Sequence, residues 1–528
     1  MGERQMNLWE FIYPIKRITK PIRLIELFAG IGSQFKALKV LTQNVESYKI
    51  CEWAYNSYCS YNAIHIKDYK DYSNGLTKEQ LIKKVKGTSL NYNEPLTDKQ
   101  LASKPLEWLK NAYNNIVATH NLVNIMEIHG KDLGIVDTDK YEYIMTYSFP
   151  CQDLSLAGKR LGMGVSQSKG GTRSGLLWEV ERILDELENK PQILLMENVP
   201  EVIGEKNIED FHKWENKLEQ LGYKNYVEIL NAKDYGIPQN RKRCFMVSVL
   251  GEYAYNFPIK FKREYRLKDL LEKTVEKKYY LTDKHIERIS NWKAQQKPLE
   301  SMKNNVLISP TITARGAGEE HSGMVLIDTK LFEEKGIGIP IAEATKKGYK
   351  VAHDGDGVDI GGRMNSHRGT VQKGKAQTIT CMGGENVGVV VKDEQFKRYE
   401  NYITWKNKKG EFNTQCNRAM LENGLPLTIP TGNTPKLAES EHLRIRKLTP
   451  LECMRLMSFG NQDYKAMREI NMSDMAIYHM AGDSIVVCVL IAIFYPLLFN
   501  DNNYKEIIKN YIEKEIVEKE NENDKNFY

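Results

Sequence analysis

Cysteine is scarce here. A chain of 528 residues carries only eight, at 51, 59, 151, 244, 381, 416, 453 and 488. None forms a CxxC pair and none stands with histidines at zinc spacing, which excludes a disulfide scaffold or a zinc finger. Reduced thiols in a reducing cytosol are expected, and no metal. The N-terminal stretch MGERQMNLWEFIYP lacks the continuous apolar core of a signal peptide. No apolar run reaches membrane-spanning length. The nearest, Ser484 to Phe499, is about 16 residues and contains a proline, short of the roughly 20 that a bilayer needs, so a buried core helix is expected. Charge of one sign is also lacking: Lys+Arg 75 against Asp+Glu 69 gives +6. Such a balance permits a polyanionic partner without requiring one.

What is present is alternation. PIRLIELFAGIGSQFKAL (Pro21 to Leu38) reads as a buried strand, a glycine turn and an amphipathic helix. SYKICEWAYNSYCSYNAI repeats the pattern, with a strand ending near Cys51. YEYIMTYSFPC, QILLMENVP and RCFMVSVL are further strands. Strands alternating with helices imply a parallel sheet covered on both faces. Residues 67–127 are polar and rich in Lys, Asn and Tyr, and read as an insertion with helical parts. From about Phe257 to Glu441, short Thr/Gly-rich apolar runs replace the alternation. Ser309 to Asp328 and Ala376 to Glu394 resemble each other, with Leu425 to Glu439 as a truncated third copy. Each pairs a T-I-[TP] triplet with a glycine turn, as a hairpin would; shared composition alone is the competing explanation. Thr449-Pro450 opens a helix, and the last stretch is a charged amphipathic helix that frays.

Several residues in this frame suit chemistry. Gly30 and Gly32 lie where the first strand turns into the first helix, a place where backbone N–H groups approach a ligand at the carboxyl edge of a parallel sheet. Glu52, about 20 residues on, ends the next strand and suits the two hydroxyls of a ribose. Trp53 offers either an aromatic face to a purine or ordinary core packing. Asp132 suits an adenine amino group, or is a turn residue. Phe35 stands where a third glycine would complete GxGxxG, so the set describes an adenosine site without a diphosphate signature. Cys151 follows a strand at the same edge, next to Pro150, where a nucleophile is reachable and able to ionise. Glu197 ends the next strand, either as an acid whose pKa burial raises or as a salt-bridged structural group. Gln239, Arg241 and Arg243 alternate, so the two arginines can face one side; alone they would be a solvated basic edge.

In order, ELFAGIGS, CEW, SFPCQDLS, MENVP, QNRKRCF, RKLTPLECMRLMSF and MAGDSIVV resemble the motifs of the cytosine-5 DNA methyltransferases. The resemblance covers roughly Ile22 to Leu267 and Leu443 to Leu498. It departs from the family at Asp483, where a late Gly-Asn-Ser or Gly-Asn-Ala element has an amide, and in the length of residues 67–127.

The resemblance implies an α/β fold: a mostly parallel, doubly wound, Rossmann-like sheet that uses S-adenosylmethionine, plus a smaller β-rich target-recognition domain. It implies a catalytic domain over 1–256, target recognition over 257–441, a return to the catalytic domain over 442–500 and a helical tail over 501–528. Cys151 would attack carbon 6 of a cytosine, Glu197 would polarise the ring, and Arg243 with Arg241 would hold O2 or organise the site. Phe28, Ala29, Gly30, Ile31, Gly32, Glu52, Trp53, Asp132, Leu133, Pro150 and Ser484 would bind the cofactor. Because the target atom is buried in a duplex, the base must be flipped out. Gln152, Ser155, Lys159, Arg160, Arg173 and Gln239 would meet DNA, the glycine-rich basic loop after Cys151 closing over it; a disordered surface loop is the bland reading. Arg315, Arg363, His367 and Arg368 are candidates for reading bases in the major groove. The expected partner is double-stranded DNA, with a restriction endonuclease acting separately. The expected state is a cytoplasmic monomer without membrane contact. A tRNA methyltransferase of the same family, or a decayed DNA-binding homologue, are the alternatives. The long central region favours DNA over tRNA, and the intact Cys151, Glu197 and Arg243 favour an enzyme.

Overall fold

The structure is a computed structural model that describes residues 13–150, 173–262, 264–281, 339–345, 349–360, 370–378, 387–392 and 443–517. Its contacts divide the chain into two compact units. One comprises Met1–Lys273, Ala376–Gly384 and Thr449–Tyr528, the other Thr274–Lys375 and Glu385–Leu448.

The first unit is built on a six-stranded sheet. Its strands are β1 (Ile22–Leu27), β2 (Val45–Cys51), β3 (Glu142–Tyr147), β4 (Ile193–Asn198), β5 (Tyr223–Asn231) and β6 (Lys242–Leu250), in the order β2-β1-β3-β4-β6-β5. β2, β1, β3 and β4 run parallel, as their buried apolar runs imply. The remaining two pairings, β4 with β6 and β6 with β5, are antiparallel. The sheet is therefore mixed. β5, YKNYVEILN, is a strand the apolar pattern does not reveal, because it lies at the sheet edge and most of its residues stay partly exposed.

Helices cover both faces. In chain order they begin with α1 (Ser33–Leu41), α2 (Tyr55–Tyr61), α3 (Lys78–Lys84), α4 (Asp98–Ala102) and α5 (Leu106–Ala118). They continue with α6 (Leu177–Glu186), α7 (Ile208–Gln220), α8 (Pro450–Leu456), α9 (Asn461–Glu469), α10 (Asp474–Asp483), α11 (Val487–Leu498) and α12 (Tyr504–Ile512). On one face α6 and α7 bring Val180, Ile183, Phe211, Trp214 and Leu218 against Ile25, Leu27, Met145, Tyr147 and Met196. The helical residues recur at the spacing of one helix face, and the strand residues alternate. On the other face α1 packs against α11. Asp474–Leu498, spanning α10 and α11, is long and apolar enough to cross a membrane, yet 83% of its most apolar window is buried inside the fold. The helix expected after Ser484 is thus a core element. α8 starts at Thr449, whose hydroxyl accepts from Glu452 N–H while Glu452 returns the bond, a reciprocal cap of two orphan donors.

Residues 67–127 carry α3, α4 and α5, and they brace the C-terminal end of β2 and the residues that follow it. Leu122 N–H donates to Ile50 O, and the Asn121 amide accepts from Glu52 N–H (3.0 Å) and donates to Glu52 O (2.8 Å). Ser89 exchanges backbone bonds with Trp53 O and Tyr55 N–H.

The second unit contains β7 (Ile339–Ala342) paired with β8 (Tyr349–Ala352). It also holds a four-stranded antiparallel sheet of β9 (Gly357–Asp359), β10 (Val371–Gln372), β11 (Val387–Lys392) and β12 (Leu443–Lys447), ordered β10-β9-β11-β12. Leu281, Ile341, Ala352, Val358, Ile360, Val371 and Val390 form its core. The first copy of the expected repeat, Ser309 to Asp328, and the truncated third copy lie outside the described residues. Ala376 to Thr378, which opens the second copy, itself belongs to the first unit and runs beside Pro238 to Asn240 within it; Thr378 Oγ1 donates to Asn240 O at 2.7 Å.

Candidate functional site

The carboxyl ends of the parallel strands bring Phe28 to Gly32, Glu52, Trp53, Pro150 and Glu197 to one edge. After β1 the chain turns sharply: Phe28, Gly30 and Gly32 have φ of 59°, 56° and 77°. At Gly32 the reason is steric as well as conformational. A Cβ there would lie 2.6 Å from both His65 Nε2 and Tyr61 Cε2. At Gly30 a Cβ would meet nothing within 4 Å, so that side of the loop is open. Ala29 and Ile31 are buried, and Ile31 O meets His65 Nε2 at 2.8 Å. Burial holds His65 down at about 4, so its imidazole is neutral.

Glu52 joins this loop to the end of β2. Its Oε2 accepts from Gly30 N–H (2.9 Å) and its Oε1 from Ala54 N–H (2.8 Å). Burial pushes its carboxyl up to about 7 against those two bonds; the charge of Asp483 adds to the rise and His479 opposes it. Trp53 keeps part of its surface exposed. Asp132 lies in a short 3-10 turn, Gly130–Leu133, and its Oδ2 accepts from His129 N–H at 2.8 Å. Leu133 is fully buried in the core, so any contact it offers a ligand comes from its backbone.

Glu197 is the next-to-last residue of β4. It pairs with Phe245 of antiparallel β6, which places Arg243 two residues along on the same face. The result is an ion pair, Arg243 Nε to Glu197 Oε1 at 2.9 Å, with both side chains mostly buried. Burial raises the Glu197 carboxyl above its usual range despite the pull of Arg243 and Arg241, and Asp483 raises it further. An ion pair and a raised carboxyl thus coexist at Glu197.

Arg241 has a second task. Its Nη2 donates to Gly482 O (3.0 Å) and Ser484 O (2.8 Å), pinning the C-terminal end of α10. Ser484 is buried and its hydroxyl donates to Met480 O (2.7 Å). Gln239 departs from the expectation of a DNA contact. It is fully buried, and its Nε2 donates to Leu456 O at 2.8 Å at the end of α8, so its side chain serves the fold. A polar residue beside two arginines reads as exposed in sequence; the burial comes from α8, more than two hundred residues away.

Asn198 was not among the sequence candidates. It is buried, and its Nδ2 donates to Phe149 O at 3.0 Å. The exits of neighbouring strands β3 and β4 are thereby tied together just ahead of Pro150. Its only signal was its place beside Glu197. Cys151, Gln152, Ser155, Lys159, Arg160, Arg315, Arg363, His367 and Arg368, with the side chain of Arg173, lie outside the described residues. The cysteines 51, 59, 244, 453 and 488 are buried and are not joined in disulfides.

A family model for C-5 cytosine-specific DNA methylases matches residues 76–498. The orphan methyltransferase M.SssI of Spiroplasma monobiae is 38% identical over 282 residues, covering 51% of this chain and 69% of that protein. The type II methyltransferase M2.ScrFI of Lactococcus lactis subsp. cremoris is 37% identical over 272 residues, 50% and 71% of the two chains. The solved Dnmt2 methyltransferase of S. pombe aligns over 90% of this chain and 97% of its own, at 14% identity and a TM-score of 0.45. With the family model spanning most of its length, the chain belongs to the C-5 cytosine-specific DNA methylase family and is a DNA (cytosine-5-)-methyltransferase.

Proposed function

We propose that the protein methylates carbon 5 of a flipped cytosine within a specific double-stranded DNA sequence, using S-adenosylmethionine and a covalent Cys151 adduct. The observation that carries this reading is the Glu197–Arg243 pair at the carboxyl end of β4. It stands on the strand beside the one that leads through Phe149 and Pro150 to Cys151, and at the same sheet edge as Glu52.

The residues of the first loop fit the cofactor. Gly30 is open on one side, and Glu52 beside it presents a carboxylate already oriented by two backbone N–H groups. Phe28 to Gly32, Glu52, Trp53, Asp132, Leu133, Pro150 and Ser484 would hold it. When bound, S-adenosylmethionine supplies an electrophilic methyl group.

The chain's own groups do the rest. The Cys151 thiolate adds to carbon 6 of the base. Glu197, whose carboxyl burial shifts towards the protonated form, is proposed to donate to ring nitrogen 3 and draw charge off the ring. Arg243 keeps Glu197 oriented and holds O2, while Arg241 fixes the end of α10 beside it. Loss of the carbon-5 proton then expels the thiol. Because carbon 6 is hidden in a duplex, the base must leave the stack. Lys159, Arg160 and Arg173, with Gln152 and Ser155, are the groups proposed to meet DNA there. The β-rich segment within 257–441, through Arg315, Arg363 and Arg368, is proposed to read flanking bases. The 442–500 return and the 501–528 tail belong with the catalytic domain 1–256 in this division. A cytoplasmic monomer, with any restriction endonuclease acting separately, completes the reading.

The test is transfer of a tritiated methyl group to duplex DNA and, in parallel, to a tRNA transcript. Label on duplex cytosine that disappears in Cys151→Ser, with DNA binding retained, supports the proposal. Substantial turnover by that variant removes the covalent step, and label on tRNA alone removes the substrate.

A further inference from the structure

Asp483 stands where the family resemblance expects an amide, and its surroundings give that carboxylate a purpose. The backbone on either side of it is pinned, Gly482 O and Ser484 O both accepting from the buried Arg241. Its side chain is half exposed, and its Oδ2 lies 3.0 Å from His479 Nδ1, one turn back on α10. The ring nitrogen thus faces the carboxylate at close range without an aligned hydrogen bond. The His479 ring in turn lies flat on Tyr92, centroids 3.7 Å apart and planes 15° from parallel. Tyr92 comes from the 67–127 segment and has a φ of 62°, a conformation that costs energy for a bulky residue and is kept only where the surroundings enforce it. The enforcing neighbour is near at hand, for Ser89, three residues earlier, is bonded to Trp53 and Tyr55.

The negative charge of Asp483 is felt by both Glu52 and Glu197. On the functional reading above, Glu52 marks the ribose and Glu197 the target base. Asp483 is tied through Arg241 to the side of Arg243 and Glu197 and through His479 and Tyr92 to the segment that braces Trp53 beside Glu52, so it lies between the two, where a sulfur between ribose and base would sit.

We propose that Asp483, partnered by His479 under Tyr92, sets the preference of the cofactor site for S-adenosylmethionine over S-adenosylhomocysteine; the inference rests on the cofactor reading above. The two ligands share every contact group and differ by one methyl and one unit of charge. The sulfonium, ammonium and carboxylate of the donor sum to a net positive charge, and the thioether product is neutral. A carboxylate near the sulfur favours the charged ligand, and the histidine ring beside that carboxylate moderates the effect. Asp483 thus helps the product leave once the methyl group has gone. Asp483, His479 and Tyr92 are positioning and charge-setting residues in this scheme, distinct from the catalytic groups.

The test is calorimetric titration of the full chain with each ligand at one fixed pH, the same for every variant. The quantity read is the ratio of the two dissociation constants, product over donor. A unit charge several ångströms away in a partly solvated site corresponds to about three- to tenfold in affinity. Asp483→Asn is expected to lower the ratio by that factor, and His479→Gln to raise it. Tyr92→Ala should move it in the same direction as His479→Gln, and Tyr92→Phe, which keeps the ring, should leave it unchanged. In the Asp483→Asn background, His479→Gln should have no further effect. Opposite signs cannot come from a general loss of packing. An unchanged ratio in Asp483→Asn, or variants that weaken both ligands alike, would overturn the proposal. A wild-type chain that binds neither ligand would instead overturn the cofactor reading.

Discussion

Arg243 and Glu197 meet where the parallel part of the sheet becomes antiparallel. β6 runs opposite to β4, so the start of one strand lies beside the end of the other, and the guanidinium Nε comes within 2.9 Å of the carboxylate. A fully parallel sheet would have put the arginine at the opposite end of the strand. Reversal of one strand delivers the cation to the carboxyl edge.

Glu197→Gln keeps the shape of the side chain and removes the acidic proton. Turnover is expected to fall by about two to four orders of magnitude, the range for losing a positioned acid. Affinity for S-adenosylmethionine should stay within about twofold. Single-turnover methylation with parallel cofactor titration checks this. Normal chemistry with poor cofactor binding would move Glu197 to the cofactor site.

The two loop glycines should separate stability from binding. Gly32→Ala forces a Cβ into His65 and Tyr61 and is expected to lower the first thermal transition by about 5 °C or more. Gly30→Ala meets open space, so its structural cost is only the left-handed backbone. It should weaken cofactor binding by about tenfold with a much smaller loss of melting temperature. Equal losses of both properties in the two variants would contradict this division.

Glu26 is fully buried, accepting from Tyr61 Oη and from Phe35 N–H, and burial raises its carboxyl to about 7. An unfolded glutamate titrates near pH ~4.3. Between those values the folded chain keeps a proton that the unfolded chain has lost. Stability from this group is therefore complete below about pH 4.5 and falls as pH rises towards about 7. Glu52, also near 7, acts in the same direction. Glu26→Gln should flatten the decline in melting temperature between about pH 5 and pH 8. Identical slopes for variant and wild type would show that Glu26 does not titrate in this way.

Base reading should separate from chemistry. Substitutions at Arg315 or Arg363 that remove a true base contact are expected to relax the choice of bases beside the cytosine, each contact being worth roughly 1–3 kcal/mol of discrimination. The rate on the best remaining site should fall far less than in Cys151→Ser. Loss of a phosphate contact would instead weaken all sequences alike and flatten the salt dependence. Methylation of a randomised duplex library, read by sequencing, distinguishes these. An unchanged preference in every active variant would place the reader elsewhere.

Five of the six strands of this sheet were legible in the sequence: β1, β3, β4 and β6 as buried apolar runs ending in a glycine or proline turn, and β2, partly exposed at the sheet edge, as a strand ending near Cys51 before a helix. β5 was not, since one flank faces solvent and its residues alternate too weakly. The same division runs through the site. Glu52 and Glu197 could be placed because each ends a recognisable strand. Arg241 could be placed but its anchoring of α10 could not, because Gly482 is distant in the chain and the contact exists only once β6 and α10 are packed. Gln239 failed for a related reason: local polarity suggested exposure, and a remote helix supplied the burial.

Residues 67–127 also bear on how far such an enzyme can be shortened. A minimal catalytic module, of the kind wanted for fusion to a programmable DNA-binding protein, would be cut first at its most polar and least apolar segment. Here that cut would remove the Asn121 amide that clasps the Glu52 backbone and the Ser89 backbone that braces Trp53 and Tyr55. The strand end bearing Glu52 would lose its alignment even though none of its own residues had changed. A trimmed version must keep these two braces, or supply replacements, before its active site can be judged.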